Sequence, residues 1–233
     1  NYLVWDVVSG QKIFELQESS RLGARTVTAF GPDGKTIVSA YNRSLALLEA
    51  GTGKILKKTG GVNKTICGGA FFTSDMRELF HGDTDGKLLF WNLQDLAISR
   101  MIKGNDKEIT SIAMTNDHSK ILVAGKDGFT RLYDTKEFKS RSSYSSSEGR
   151  YPYEVSISPD GTLFATISVE PIGELKYFKE YAIENIKTGH SISSGELTGL
   201  QHYAFSGDNK YLYSTAEGTP SVTAHLIGGG YSP

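Results

Sequence analysis

Residues 112–125 read IAMTNDHSKILVAG, and residues 130–138 read TRLYDTKEF. The first stretch alternates small and apolar residues, breaks at a polar turn carrying Asp117, and resumes as an apolar run. The second alternates, carries an aromatic residue and ends in another polar turn. Both patterns recur along the chain. The first has copies at 28–40 (TAFGPDGKTIVSA), 70–82 (AFFTSDMRELFHG), 155–168 (VSISPDGTLFATIS) and 203–216 (YAFSGDNKYLYSTA). Their aspartates Asp33, Asp75, Asp117, Asp160 and Asp208 lie 42, 42, 43 and 48 residues apart. The second has copies at 3–11, 45–54, 87–97, 180–190 and 222–230, and in it Trp5, Leu48, Trp91 and Tyr133 are equivalent, 43, 43 and 42 residues apart.

These segments read as strands, because they are short, alternate with period two and are punctuated by Gly, Asp, Asn or Pro. Asp33-Gly34 and Asp160-Gly161 are hairpin-turn dipeptides, in which glycine accepts positive φ without a Cβ clash. No window carries a capped 3.6-residue period, so no helix is predicted. A repeat near 42 residues with four short strands per unit predicts an all-β fold, a β-propeller of four-stranded antiparallel blades.

Trp5-Asp6 followed by Ser9-Gly10, with the variants Trp91-Asn92 and Tyr133-Asp134, resembles the closing dipeptide of the WD-repeat family. Gly82 to Lys87 and Gly125 to Gly128 resemble the turn before that family's third strand. The resemblance covers nearly the whole chain and implies that Asp85 and Asp127 cap those tight turns. It also implies protein-binding scaffolds as the function class, by analogy only, since a fold does not fix a function. The family's Gly-His pair before the first strand is absent from every repeat, so the hydrogen-bond network that pins its blades is expected to be incomplete.

Strand bookkeeping gives a third and fourth strand, four full sets, then a first, second and third strand: 21 in all. A closed five-bladed ring takes about 20, four to a blade. The expectation is therefore an arc of about five blades from a larger six- or seven-bladed ring, within one domain spanning 1–233. Partner or missing chain segments would cover its open edges. The first residue, Asn1, fits a processed chain or a piece of a longer one.

The 233 residues carry 25 Lys and Arg against 26 Asp and Glu, a net charge of −1, which argues against a nucleic-acid surface. The one cysteine, Cys67, excludes an internal disulfide framework and a multi-cysteine zinc site. No signal-peptide pattern and no apolar run long enough for a membrane helix is found, so a cytoplasmic or nuclear protein without membrane contact is expected.

Candidate chemistry is sparse. Gly31 to Thr36 ends in Gly-Lys-Thr but lacks the phosphate-loop spacing, and Gly51 to Lys54 is followed by Ile55, without the hydroxyl that would hold magnesium. The histidines His81, His118, His190, His202 and His225 are scattered over different repeats, without metal-ligand spacing. Cys67 reads as a buried small residue. Glu108, Glu154 and His202 are the groups an axial metal or acid–base site would have to use, and this propeller-enzyme reading is the runner-up. Ser140 to Ser147 holds six serines in eight positions, so 139–149 is expected to be a flexible loop.

Recognition residues are sought on the loops that enter each first strand. Lys64, Lys107 and Arg150 supply cations there. Tyr151, Tyr153, Gln201 and His202 supply the amphipathic surface typical of binding hot spots. The expectation is a non-catalytic scaffold or adaptor, without cofactor or metal, that holds protein or peptide partners on its loop faces within an assembly. A protein-holding component of an RNA-associated complex is the third reading.

Overall fold

The computed structural model describes residues 2–16, 26–31, 33–41, 44–59, 66–73, 75, 77–172, 175–197, 201–216 and 222–227. Every regular element in them is a strand, 21 in number. The chain divides into two compact units, residues 1–103 and 104–233.

The first unit opens with the antiparallel pair β1 (Tyr2–Trp5) and β2 (Lys12–Leu16). A four-stranded blade follows, made of β3 (Thr26–Phe30), β4 (Thr36–Tyr41), β5 (Ser44–Glu49) and β6 (Ile55–Thr59). The next set is β7 (Ile66–Phe72), β8 (Glu78–Asp83), β9 (Lys87–Asn92) and β10 (Ile98–Lys103). The second unit holds β11 (Ile109–Met114), β12 (Lys120–Gly125), β13 (Phe129–Asp134) and β14 (Ser140–Ser145). It continues with β15 (Tyr151–Ile157), β16 (Leu163–Ile172), β17 (Leu175–Asn185) and β18 (Ser191–Leu197). The last sheet is β19 (Gln201–Phe205), β20 (Tyr211–Ala216) and β21 (Val222–Leu226). Each set is an up-and-down antiparallel meander, the blade of a β-propeller.

The second strand of a blade lies mid-sheet and packs on both faces, so it reads as a continuous apolar run. Ile121, Leu122, Val123 and Ala124 of β12 are all fully buried. Fourth strands lie on the sheet edge and are exposed instead, as in β6 and β10. This position corrects one expectation. Residues 139–149 are not a loop throughout, because Ser140–Ser145 forms β14, paired with β13 from Phe129↔Ser145 to Tyr133↔Ser140. An edge strand needs backbone pairing and few buried side chains, and serines with one inward Tyr144 meet that need.

The repeat aspartates hold the turns between first and second strands. Asp33 Oδ1 accepts from the amides of Lys35 (2.9 Å) and Thr36 (3.0 Å). Asp117 accepts from the Thr115 hydroxyl at 2.6 Å and the Ser119 amide at 2.9 Å. Asp75, Asp160 and Asp208 do the same with Thr73, Ser158 and Ser206. These hydrogen bonds, the Thr115 hydroxyl first, hold the Asp117 carboxyl down to about 2. In the Asp117 and Asp208 turns the residue after the aspartate is not glycine, and His118 (φ 57°) and Asn209 (φ 59°) take the left-handed conformation there. Between third and fourth strands Leu96 (φ 55°) and Phe138 (φ 51°) do the same, with their side chains buried.

Candidate functional site

The blade β11–β14 shows how a turn is locked. Asp127 Oδ1 accepts from Asn105 Nδ2 at 2.9 Å, and its Oδ2 from the Asp106 amide at 2.9 Å and Arg131 at 2.6 Å. Asn105 also donates to the Phe129 carbonyl, and Tyr133 donates to the Gly104 carbonyl at 2.6 Å. Gly104-Asn105 thus stands in the place of the missing Gly-His pair, and the blade is pinned after all. Sequence reading missed Asn105; the preceding glycine was the only signal. At the equivalent turn of β8–β9 a second aspartate, Asp83, is buried, and its carboxylate accepts from the Asp85 and Lys87 amides at 2.9 and 2.8 Å. Both hairpins have three-residue connections, 84–86 and 126–128, and Asp83 stands where the other blade has Gly125.

The histidines fall in different elements. His81 lies inside β8 and not after it, fully buried, with Trp91 Nε1 donating to its Nε2. His225 meets Ser214 Oγ at 2.9 Å, and His190 is exposed. Glu108 is paired with Lys126 at 2.6 Å. Among the described residues, no group of three or more His, Cys, Asp or Glu could hold a metal ion. Cys67 is buried in β7. The two Gly-Lys stretches are turns: Gly53 (φ 72°) lies under the Phe14 ring, where a Cβ would come within 2.7 Å.

Loops entering a first strand and loops joining second to third strands fall at the same end of an antiparallel blade. On that end of unit 104–233 the structure brings Arg150 and Tyr151 together with the β16–β17 hairpin. Arg150 ion-pairs with Glu180 and lies 3.8 Å from Glu170. Tyr151 is buried and pairs in register with Val169. Tyr153 is half-buried, and Lys107 is exposed on the preceding loop. Tyr203 is a blade-to-blade clamp: its hydroxyl donates to the carbonyls of Glu154 (2.9 Å) and Ala165 (3.0 Å), and burial raises its pKa well above the usual phenol value. Gln201 and His202 begin β19. Lys64 lies outside the described residues.

Beside Arg150 a cleft of about 170 Å³ opens between β13–β14 and the face of β16–β18. Its lining is mostly hydroxyl-bearing. Ser146 and Ser168 meet across it at 3.1 Å, and Ser147 donates to Glu180 at 3.2 Å. Tyr144 closes one end, its ring 4.7 Å from that of Phe164 and its hydroxyl bonded to the Ile186 carbonyl. No feature of any single repeat announces this cleft, since its walls come from two blades.

The comparisons agree with the repeat reading. The family model described as WD domain, G-beta repeat matches residues 97–134. The chain is 25% identical over 174 residues to autophagy-related protein 16 of Arabidopsis thaliana, covering 73% of this chain and 34% of that protein. It is 28% identical over 151 residues to the putative BTB/POZ domain and WD-repeat protein R61 of Acanthamoeba polyphaga mimivirus, covering 60% and 29%. The matched stretches thus span about a third of those relatives' lengths. Among solved structures the hydrazine synthase of Kuenenia stuttgartiensis superposes with a TM-score of 0.68 at 18% identity, over 86% of this chain and 58% of that one. At that identity the likeness is one of fold. The chain resembles the WD-repeat β-propeller family, and no helix in the described residues is long and apolar enough to cross a membrane.

Proposed function

We propose that this chain is a non-catalytic scaffold module that holds protein or peptide partners on the loop face bearing Lys107, Arg150 and the β16–β17 hairpin. It serves as a subunit of a multiprotein assembly in the cytoplasm or nucleus. WD repeats indicate a protein-interaction scaffold, and the match over 97–134 supports that class.

The hairpin carries the reading. Second and third strands have six residues in the blades β3–β6, β7–β10 and β11–β14, whereas β16 has ten and β17 eleven. The inner neighbour β15 pairs only as far as Val169, and the outer neighbour β18 only as far as Lys179. Beyond them, among the described residues, Glu170↔Phe178, Pro171↔Lys176 and Ile172↔Leu175 pair with each other alone. A two-stranded arm is marginal in water by itself and adds nothing to the blade's own sheet. Its value lies in contact with something else, and Lys107, Tyr153, Gln201 and His202 sit on the same end of the unit. Lys64, from the corresponding loop of the first unit, is assigned to partner contact on its sequence position.

The test is affinity capture of the intact parent protein from its own cells, read by quantitative mass spectrometry. A variant with Glu170 to Phe178 replaced by Asn-Gly keeps the blade and removes the arm. A defined set of partners should be lost, with the thermal midpoint unchanged. Identical partner sets in a folded variant overturn the proposal.

A further inference from the structure

The cleft beside β14 contains polar groups that the protein leaves without partners. Thr130 and Thr166 both line the cleft, and their hydroxyls, without a hydrogen-bond partner among the described residues, are open to it. Glu184 lines the same space, is half-buried and has no ion pair or side-chain hydrogen bond among the described residues. Burial pushes its carboxyl above the ordinary value.

The registers explain how these groups converge. Thr166 and Ser194 both pair with Ala182, whose small side chain forms the floor, and Glu184 is the next inward position on β17. Thr130 reaches in from β13 of the neighbouring blade. The result is one carboxylate with hydroxyls on two walls over a small apolar base.

We propose that this cleft binds an alkylammonium group, with Glu184 as counter-ion and Thr130 and Thr166 as hydroxyl acceptors. An ammonium carries three donors and no acceptor, so acceptors on separate walls suit it better than a planar guanidinium. The room is sufficient, since a cavity of about 150 Å³ holds a ring of six carbons. An anion would find no free cation here, because Arg150 is engaged by Glu180 and Glu170. The ammonium is either a lysine side chain of a partner or a free polyamine, and both present the same chemistry.

The experiment is an amide-resolved NMR titration of the whole chain with n-butylammonium chloride, against tetramethylammonium chloride at equal ionic strength. Saturable shifts are expected at Thr130, Thr166 and Ser194 with butylammonium and not with tetramethylammonium. E184Q should weaken binding about tenfold or more. E137Q, which does not line the cleft, should leave binding unchanged. If E184Q disturbs the fold, the near-isosteric pair T130V and T166V gives the same reading, with weaker binding and Glu184 intact. Absence of saturable shifts, equal response to tetramethylammonium, or undiminished binding by folded E184Q overturns the inference. Ac-Gly-Lys-Gly-amide and spermidine separate the two sources by which binds more tightly, and acetylating the lysine must abolish the peptide's binding. The small-molecule titration is independent of the partner-capture test, so either proposal can fail without the other.

Discussion

The indole nitrogen of Trp91 donates to Nε2 of His81 at 2.9 Å, in the buried centre of the β7–β10 blade. The other ring nitrogen of His81 lies 2.7 Å from the Gly82 carbonyl and donates to it. The histidine is therefore neutral, with both nitrogens used. Burial holds its pKa below the usual 6.5. Above that value the pair contributes its full stability. As pH falls through 6.5 toward the depressed folded value, the unfolded chain takes up a proton that the folded chain refuses, and stability declines. Urea midpoints at descending pH should show this slope, and H81Q should flatten it. W91F leaves Nε2 buried without a donor and should cost about 1–3 kcal/mol.

The Asn105–Asp127 lock makes a second prediction. A Cβ on Gly125 would come within 2.3 Å of Asn105 Nδ2 and 2.8 Å of its Cβ. G125A must push Asn105 away and free Asp127. We expect a loss of about 2–3 kcal/mol by chemical denaturation, as large as that of N105A. A loss under half that size in G125A would mean the network is loosely held.

Tyr203 bridges two blades through one hydroxyl and two carbonyls. Y203F keeps the ring and removes the proton donor. The expected cost is about 1–2 kcal/mol in urea denaturation, since two buried carbonyls lose a shared partner.

His118 occupies a left-handed conformation that favours glycine, and its buried Nδ1 has no partner among the described residues. H118G should stabilise the protein by about 0.5–1 kcal/mol, because relief of backbone strain exceeds the added freedom of the unfolded chain. N209G should be close to neutral, since asparagine already tolerates this region.

The turn aspartates give an acid signature. With its carboxyl held down to about 2, Asp117 contributes stability above its ordinary value of 3.8. That contribution is lost as pH falls from there toward about 2. D117N should remove this part of the acid sensitivity, as followed by thermal midpoints between those limits.

These residues also show what a sequence can carry. The aspartate turns and the apolar second strands were legible because each is local, and alternation or a turn residue reports it directly. β14 was misread because an edge strand is held by backbone pairs, which leave no trace in side-chain polarity. Leu96, Phe138, His118 and Asn209 stand at left-handed positions where glycine is the usual signal, so nothing marked them. Asn105 substitutes for a histidine by reach and donor chemistry, which a motif does not record. The cleft around Glu184 joins residues of two blades, and only the packing of one blade on the next assembles it.

Cross-linking mass spectrometry of the captured assembly tests the partner-binding account most directly, because the two ends of each blade carry different lysines. Cross-links to partners should concentrate on Lys107 and on the hairpin residues Lys176 and Lys179. Cross-links concentrated on Lys120 and Lys210, which follow the aspartate turns at the opposite end of their blades, would contradict it.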